Sequence, residues 1–225
     1  MAFVADLRGP ALSKEDLHHL LRVLRQRAGD QLTVADGEGR WRTARLDPAE
    51  AGALREFGPV CELPPATPPL AVGFALVKGD KPELIVQKLT ELGIDRIVPF
   101  RAERSVVRWD VAKAAKAVAR LRLVARAAAQ QCHRPRLPEV ADVAEVAALV
   151  AAGATLAERG GVPLSLQVPF VLVGPEGGWS VSEGAVAGDR VGLGPHVLRA
   201  ETAAWTAAVL LASLRDGTVT PVHNP

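Results

Sequence analysis

The sequence predicts an α/β fold with a mostly parallel sheet, preceded by a small β-rich domain. Three observations predict it. From Leu70 onward, short apolar strands alternate with helical patterns, which implies a parallel sheet covered on both faces. Before that point the periodicity is largely two, the repeat of a half-buried strand. Between the two regions lies Pro64-Pro65-Ala66-Thr67-Pro68-Pro69, a segment too rich in proline for a helix or a central strand. It reads as a stiff connector. The expected domains are therefore 1-69 and 70-225.

In the first domain, Ser13 is a candidate helix N-cap with Asp16 in the first turn, and Leu17, Leu20, Leu21 and Leu24 recur at helical spacing. Gln31 to Ala35 and Arg40 to Leu46 alternate apolar and polar residues around the turn Asp36-Gly37-Glu38-Gly39, which predicts a hairpin. The whole segment reads as a small β-barrel. In the second domain, strands are expected at Leu70 to Val77, Ile94 to Phe100, Phe170 to Val173 and Arg190 to Leu193. Asp80 can cap a helix with Pro82 in its first turn and Gly93 at its end. Ala112 to Gln131 predicts a long helix, with Val118, Leu121, Val124, Ala125 and Ala128 on one face. Further helices are expected near Val143 to Ala151, after the capping-box pair Ser180 and Glu183, and at Ala203 to Leu214.

Composition narrows the function. Hydrophobic residues make up 48% and charged residues 23%, ordinary for a globular domain. No apolar run approaches the roughly 20 residues that span a bilayer, and the first residues lack the pattern of a secretory signal. The two cysteines, Cys61 and Cys132, stand far apart, so a reducing cytoplasm is expected rather than a disulfide framework. Cys132 is expected to be a buried thiol, and no metal is expected because no second ligand pair stands at zinc-like spacing. The net charge is only +2, but Leu70 to Arg136 holds 14 Lys and Arg against 6 Asp and Glu, while both flanks are negative. Such a block can face phosphate, or can be matched by acids elsewhere in the fold.

Two glycine-bearing loops carry the chemistry. Each follows a short apolar strand: Val171-Leu172-Val173-Gly174-Pro175-Glu176-Gly177-Gly178-Trp179, and Val191-Gly192-Leu193-Gly194-Pro195-His196-Val197-Leu198-Arg199-Ala200-Glu201-Thr202. In open α/β sheets, ligands bind beyond the carboxyl ends of the strands. Neither loop has the spacing of a dinucleotide fingerprint or a phosphate-binding loop with Lys-Ser/Thr, so nucleotide cofactors and triphosphates are disfavoured.

Together the two loops resemble the C-terminal signature of SPOUT methyltransferases, and most closely the RsmE family of 16S rRNA uridine N3-methyltransferases. Lys78-Gly79-Asp80-Lys81, Gln87-Lys88 through Glu91-Leu92-Gly93, Glu103-Arg104-Ser105 and Gln130-Gln131-Cys132-His133-Arg134 resemble further segments of that family. So do His18-His19, Val23-Leu24-Arg25 and Gly29-Asp30, and the likeness runs in order over nearly the whole chain. Three positions depart from it: Gln130 stands where Glu is usual, His196 where a basic residue is common, and Ala200 where Thr is frequent.

The resemblance implies a SPOUT-type domain with a C-terminal trefoil knot from about Phe170, behind a PUA-like β-barrel that binds RNA. It implies S-adenosyl-L-methionine as cofactor, contacted by Leu172, Gly174, Glu176, Gly177, Leu193, Gly194, Val197, Leu198 and Thr202. It implies small-subunit rRNA as partner and a homodimer packed through the last helix, with Trp205, Val209 and Leu210. Arg199 is the candidate stabiliser of a uracil anion and Glu201 a candidate base or orienting carboxylate; alternatively the two form a salt bridge that pins the loop. Arg25, Arg101, Arg104 and Arg134 are candidate RNA contacts. A SPOUT enzyme acting elsewhere on rRNA or tRNA, and a non-catalytic RNA-binding assembly factor, remain the alternatives.

Overall fold

The computed structural model describes residues 1–23, 25–47, 50 and 52–220; Leu24 of the expected first helix lies outside them. The chain forms two compact units, Met1–Pro65 with Ala129–Leu137, and Ala66–Ala128 with Pro138–Pro225.

In the first unit, β1 (Ala2–Phe3) pairs in parallel with β2 (Gln31–Ala35), and β2 forms the expected hairpin with β3 (Arg40–Leu46), Gln31 facing Arg45 and Ala35 facing Trp41. At the turn, Asp36 Oδ1 accepts the N–H groups of Glu38 at 2.8 Å and Arg40 at 3.1 Å, while Gly37 and Gly39 take positive φ. Two short strands, β4 (Leu54–Arg55) and β5 (Cys61–Glu62), pair with β3. Ser13 caps α1 (Lys14–His18) as its sequence predicts, its Oγ accepting the Asp16 N–H at 3.0 Å. The helix then widens into a π-helical turn, His19–Val23. Val4, Leu20, Leu32, Val34 and Leu46 form the core.

Residues Ala129–Leu137 also belong to this unit, although a boundary at residue 69 assigns them to the second domain. Leu137 N–H donates to Gly37 O at 2.8 Å, and Gln130 Nε2 donates to Asp16 Oδ1 at 2.6 Å. The second bond gives a reason for Gln130. A glutamate there would set two carboxylates against each other, whereas the amide donates.

The second unit runs β6 (Ala71–Ala75), α2 (Lys81–Glu91), β7 (Arg96–Arg101), α3 (Val111–Gln131, whose last three residues belong to the first unit), β8 (Glu139–Val140), β9 (Ala144–Glu145), α4 (Val146–Ala151), β10 (Thr155–Pro163), β11 (Phe170–Val173), α5 (Val181–Val186), β12 (Val191–Gly192) and α6 (Ala200–Arg215). The sheet order is β12-β10-β11-β6-β7-β8, with β9 also on β7, and every pairing is parallel. Strand alternation sorts the core into two layers. Val72, Phe74, Ile97, Val171 and Val173 join Leu121, Ala204 and Leu211 on one face. Ala75, Val98, Phe100, Leu156 and Leu172 join Val146 and Leu149 on the other. Full burial of each such aliphatic or aromatic side chain contributes about 1.5–3 kcal/mol, so the pattern pins the register.

Besides the domain boundary, the structure departs from the sequence reading at three further places. Asp80 holds the N-cap position of α2, but its side chain makes no capping hydrogen bond. Cys132 is exposed, not buried, because it follows the end of α3 where the chain turns through His133 at φ 59°. Strand β10 was not expected at all. Its Glu158-Arg159-Gly160-Gly161 core reads as a turn, and its pairing with β12 shifts register between Ala157 and Val162. Gly161 and Gly192 make this possible, since a Cβ on Gly192 would lie 2.8 Å from Gly161 O.

Candidate functional site

A cleft of about 350 Å³ opens at the carboxyl ends of β11 and β12, beside the middle of β10. It brings together much of what the sequence singled out. Gly174 and Glu176 come from the loop after β11, and Leu193, Gly194, Val197, Leu198 and Arg199 from the loop after β12. The capping box predicted at Ser180 is formed: Ser180 Oγ accepts the Glu183 N–H at 3.1 Å, and Glu183 Oε2 accepts the Ser180 N–H at 2.8 Å. It starts α5 and so fixes where the first loop ends.

Four candidate residues stand outside the cleft wall. Leu172 is fully buried, its side chain in the core layer beneath. Gly177 faces away toward Arg104, whose Nη1 donates to Gly177 O at 3.2 Å. Thr202 lies on α6, its carbonyl accepting the Thr206 hydroxyl at 2.8 Å. Glu201 does not pair with Arg199; its Oε2 lies 3.2 Å from Lys81 Nζ. That oxygen is buried without an aligned hydrogen-bond donor, so the contact is charge attraction more than a directed bond. Burial pushes the Glu201 carboxyl up, but its own backbone N–H, Lys81 and Arg199 outweigh this and hold it below the usual carboxylate range. Glu201 is thus a fixed negative charge.

Lys81 also approaches Glu176 Oε1 at 3.8 Å. One ammonium on α2 therefore ties the first loop to the start of α6, a link that nothing in the spacing of these segments could reveal. Arg199 is the N-cap residue of α6; its side chain is exposed, caps nothing and forms no ion pair among the described residues. With Arg159 on β10 it is one of two cations in the cleft lining without an ion pair among the described residues.

Sequence reasoning missed several lining groups. Strand β10 supplies Ala157, Glu158 and Arg159. Trp179, quoted in the motif but given no role, forms a wall: its ring stacks on Phe100 at 5.9 Å and its Nε1 donates to Ala157 O at 3.0 Å. Of the candidate RNA contacts, Arg101 is paired with Glu145 at 2.9 Å, Arg104 holds the first loop, Arg25 lies in the first unit at φ 53°, and Arg134 is half-buried in the same unit. Among the described residues no group of three or more His, Cys, Asp or Glu could hold a metal, and no helix is long and apolar enough to cross a membrane.

Comparison with known proteins adds to this geometry. Residues 65–212 match a family described as an RNA methyltransferase domain, and residues 12–51 one described as an RNA methyltransferase PUA domain. The chain is 36% identical over 210 residues to the ribosomal RNA small subunit methyltransferase E of Mycobacterium bovis, covering 84% of this chain and 80% of that protein. It is 31% identical over 221 residues to the Bacillus subtilis protein of the same name, covering 86% and 85%. Among solved structures, a Legionella pneumophila protein in complex with the bound cofactor SAM superposes with a TM-score of 0.79 at 28% identity, covering 94% of this chain and 96% of that one. The ribosomal RNA small subunit methyltransferase E of Neisseria gonorrhoeae, bound to S-adenosyl methionine, gives 0.77 at 27%, covering 95% and 96%.

Proposed function

The chain belongs to the RsmE family of RNA methyltransferases with a SPOUT-type fold and a PUA-like domain, and on that premise we propose that it methylates N3 of a uridine in small-subunit rRNA. The methyl donor is S-adenosyl-L-methionine, held in the cleft between the two glycine loops, with the chain from about Phe170 threaded as a trefoil knot. The observation that carries this reading is the cleft itself. Two backbone-rich loops at the ends of parallel strands enclose a space lined by two guanidinium groups without an ion pair among the described residues, Arg199 at the start of α6 and Arg159 on β10.

The residues present fit such a donor. Leu193 and Leu198 offer apolar surface, Gly174 and Gly194 bring main chain to the cleft without side chains, and Glu176, only 3.8 Å from Lys81, adds a carboxylate, while Glu158 is paired with Arg190 at 2.6 Å. Bound there, the donor supplies an electrophilic methyl group on a sulfonium. The chain's own part is position and charge. Uracil N3 attacks only once its proton is gone, and the resulting negative charge spreads over the ring carbonyls. Arg199 is placed to stabilise that charge through its forked donors. Glu201, held ionised beside Lys81, orients Lys81 between the two loops and so acts as a positioning carboxylate, with the N3 proton passing to solvent or to another base.

The barrel-like first unit binds RNA, and a second copy of the chain packs on α6. Val209 is exposed on that helix, which suits an interface, and the buried Trp205 indole N–H has no acceptor among the described residues.

Mass mapping of nucleosides from a deletion strain tests the function. One methyluridine should disappear from small-subunit rRNA and return when the gene is restored. Loss of a tRNA mark with rRNA intact would contradict the assigned substrate.

A further inference from the structure

We propose that a second cleft, on the far side of the start of α2, holds one unpaired nucleotide of the RNA, its base stacked on Trp109 and its phosphates between Lys78 and Lys113. The proposal rests on the reading that the substrate is RNA, and gives that RNA a place on the second unit.

The cleft has a volume of about 330 Å³ and is lined by Val77, Lys78, Gly79, Trp109, Lys113 and Leu121, among others. This is near the lower end of the range for small-ligand pockets, about 300–1,000 Å³. Its floor is apolar: Val77 is 4% and Leu121 2% exposed. Trp109 is half-buried and its indole N–H makes no hydrogen bond among the described residues. Its backbone is anchored, because Arg101 Nη2 donates to Trp109 O at 3.3 Å. The chain has four tryptophans and no tyrosine, and Trp179 is already committed to the wall of the donor cleft. Trp109 is thus an indole with an accessible face beside free cations, the combination that single-stranded nucleic acid uses.

The charges are unmatched in one sense only. Arg120, also in the cleft, is paired with Glu83 through two hydrogen bonds. Asp110 is turned to the helix, its Oδ1 accepting the Lys113 N–H at 2.8 Å. Lys78 and Lys113 are exposed and form no ion pair among the described residues. Two free ammonium groups thus flank an aromatic face, and no free carboxylate opposes them within the lining.

The position relative to the donor cleft completes the argument. Gly79 and Pro82 line this second cleft, while Lys81 between them reaches Glu176 on the wall of the first. One short turn separates the two spaces, so a strand of RNA lying across it can place one nucleotide in each.

The test uses full-length protein and a labelled oligouridylate of about ten nucleotides. Trp109→Ala should weaken binding roughly 5- to 150-fold, the loss of one base stack, and Trp109→Phe should restore most of it. Lys78→Ala and Lys113→Ala should each lower the slope of log K against log salt by about 0.7. Affinity for S-adenosylhomocysteine should be unchanged in all four variants, which separates lost RNA contact from lost folding. Wild-type RNA affinity in Trp109→Ala, or a phenylalanine variant as weak as the alanine one, would overturn the proposal. If wild-type protein bound the oligouridylate yet left small-subunit RNA unmethylated, the function proposed above would fail while the stack on Trp109 would still be read from the same variants.

Discussion

Replacing Arg199 with alanine is expected to lower kcat about 10²- to 10³-fold, the usual loss when one preorganised donor to a developing anion is removed, while donor affinity stays near wild type. The physical basis is the isolation of this side chain. Arg199 rims the cleft, is exposed, and caps α6 only through its backbone position. Glu201 takes its charge partner from Lys81 instead. Removing the guanidinium therefore unpairs nothing and leaves the loop held by Lys81. Single-turnover kinetics beside calorimetry with S-adenosylhomocysteine would separate the two effects. A large loss of donor affinity with little change in turnover would move Arg199 from charge stabilisation to loop structure. Lysine at this position should recover only part of the rate, since it keeps the charge but not the forked geometry.

The second large effect is expected at Gly174. Substitution by valine should reduce donor affinity roughly 5- to 150-fold, the equivalent of about 1–3 kcal/mol of overpacking. The sequence alone suggests that a side chain here would fill the space meant for the ligand. The structure gives a different cause. A Cβ on residue 174 would lie 2.9 Å from Trp179 Cε2 and 3.1 Å from Cζ2. The indole cannot simply yield, because it is stacked on Phe100 and hydrogen-bonded to Ala157 O. The substitution therefore acts by pushing one wall of the cleft. Gly174→Ala should show the same effect in milder form, and Trp179→Leu in the Gly174→Val background should recover part of the binding. Calorimetry reads both; wild-type affinity in Gly174→Val would show that this loop does not shape the donor site.

Much of the fold is legible in the residue pattern, for a physical reason. Strands such as β6, β7 and β11 are buried on both faces, so they appear as uninterrupted apolar runs. Helices such as α3 bury one stripe, and Val118, Leu121, Ala125 and Ala128 are indeed its buried side. Local chemistry is also readable where one residue acts on a near neighbour, as in the Ser13 cap, the Asp36 turn and the Ser180–Glu183 box. The Lys88–Glu91 pair, three residues apart, closes at 2.7 Å.

What escaped the sequence depends on distant partners. Strand β10 carries its pairing through Thr155, Leu156 and Ala157 and then a bulge, and its charged and glycine residues hide it. With it went Glu158 and Arg159 as lining groups. The Glu201 partner could not be found by spacing, since Lys81 lies on a helix 120 positions earlier. Leu172 is a candidate through its backbone, and strand alternation turns its side chain into the core. The basic block of Leu70 to Arg136 is only partly available to a partner. Lys81, Lys88, Arg96, Arg101, Arg120 and Arg122 are each spent on an acid, and Arg104 and Arg136 donate to carbonyls, whereas Lys78, Arg108, Lys113 and Lys116 have no ion pair among the described residues.

The most direct measurement is a crystal structure of the full chain grown with S-adenosylhomocysteine. The account predicts ligand density between the Gly174–Trp179 turn and the Leu193–Arg199 turn, with its sulfur facing the Arg199 guanidinium and the chain beyond Phe170 passing through a loop of its own domain. Density for that molecule in any other cleft, or an unthreaded chain, would contradict it.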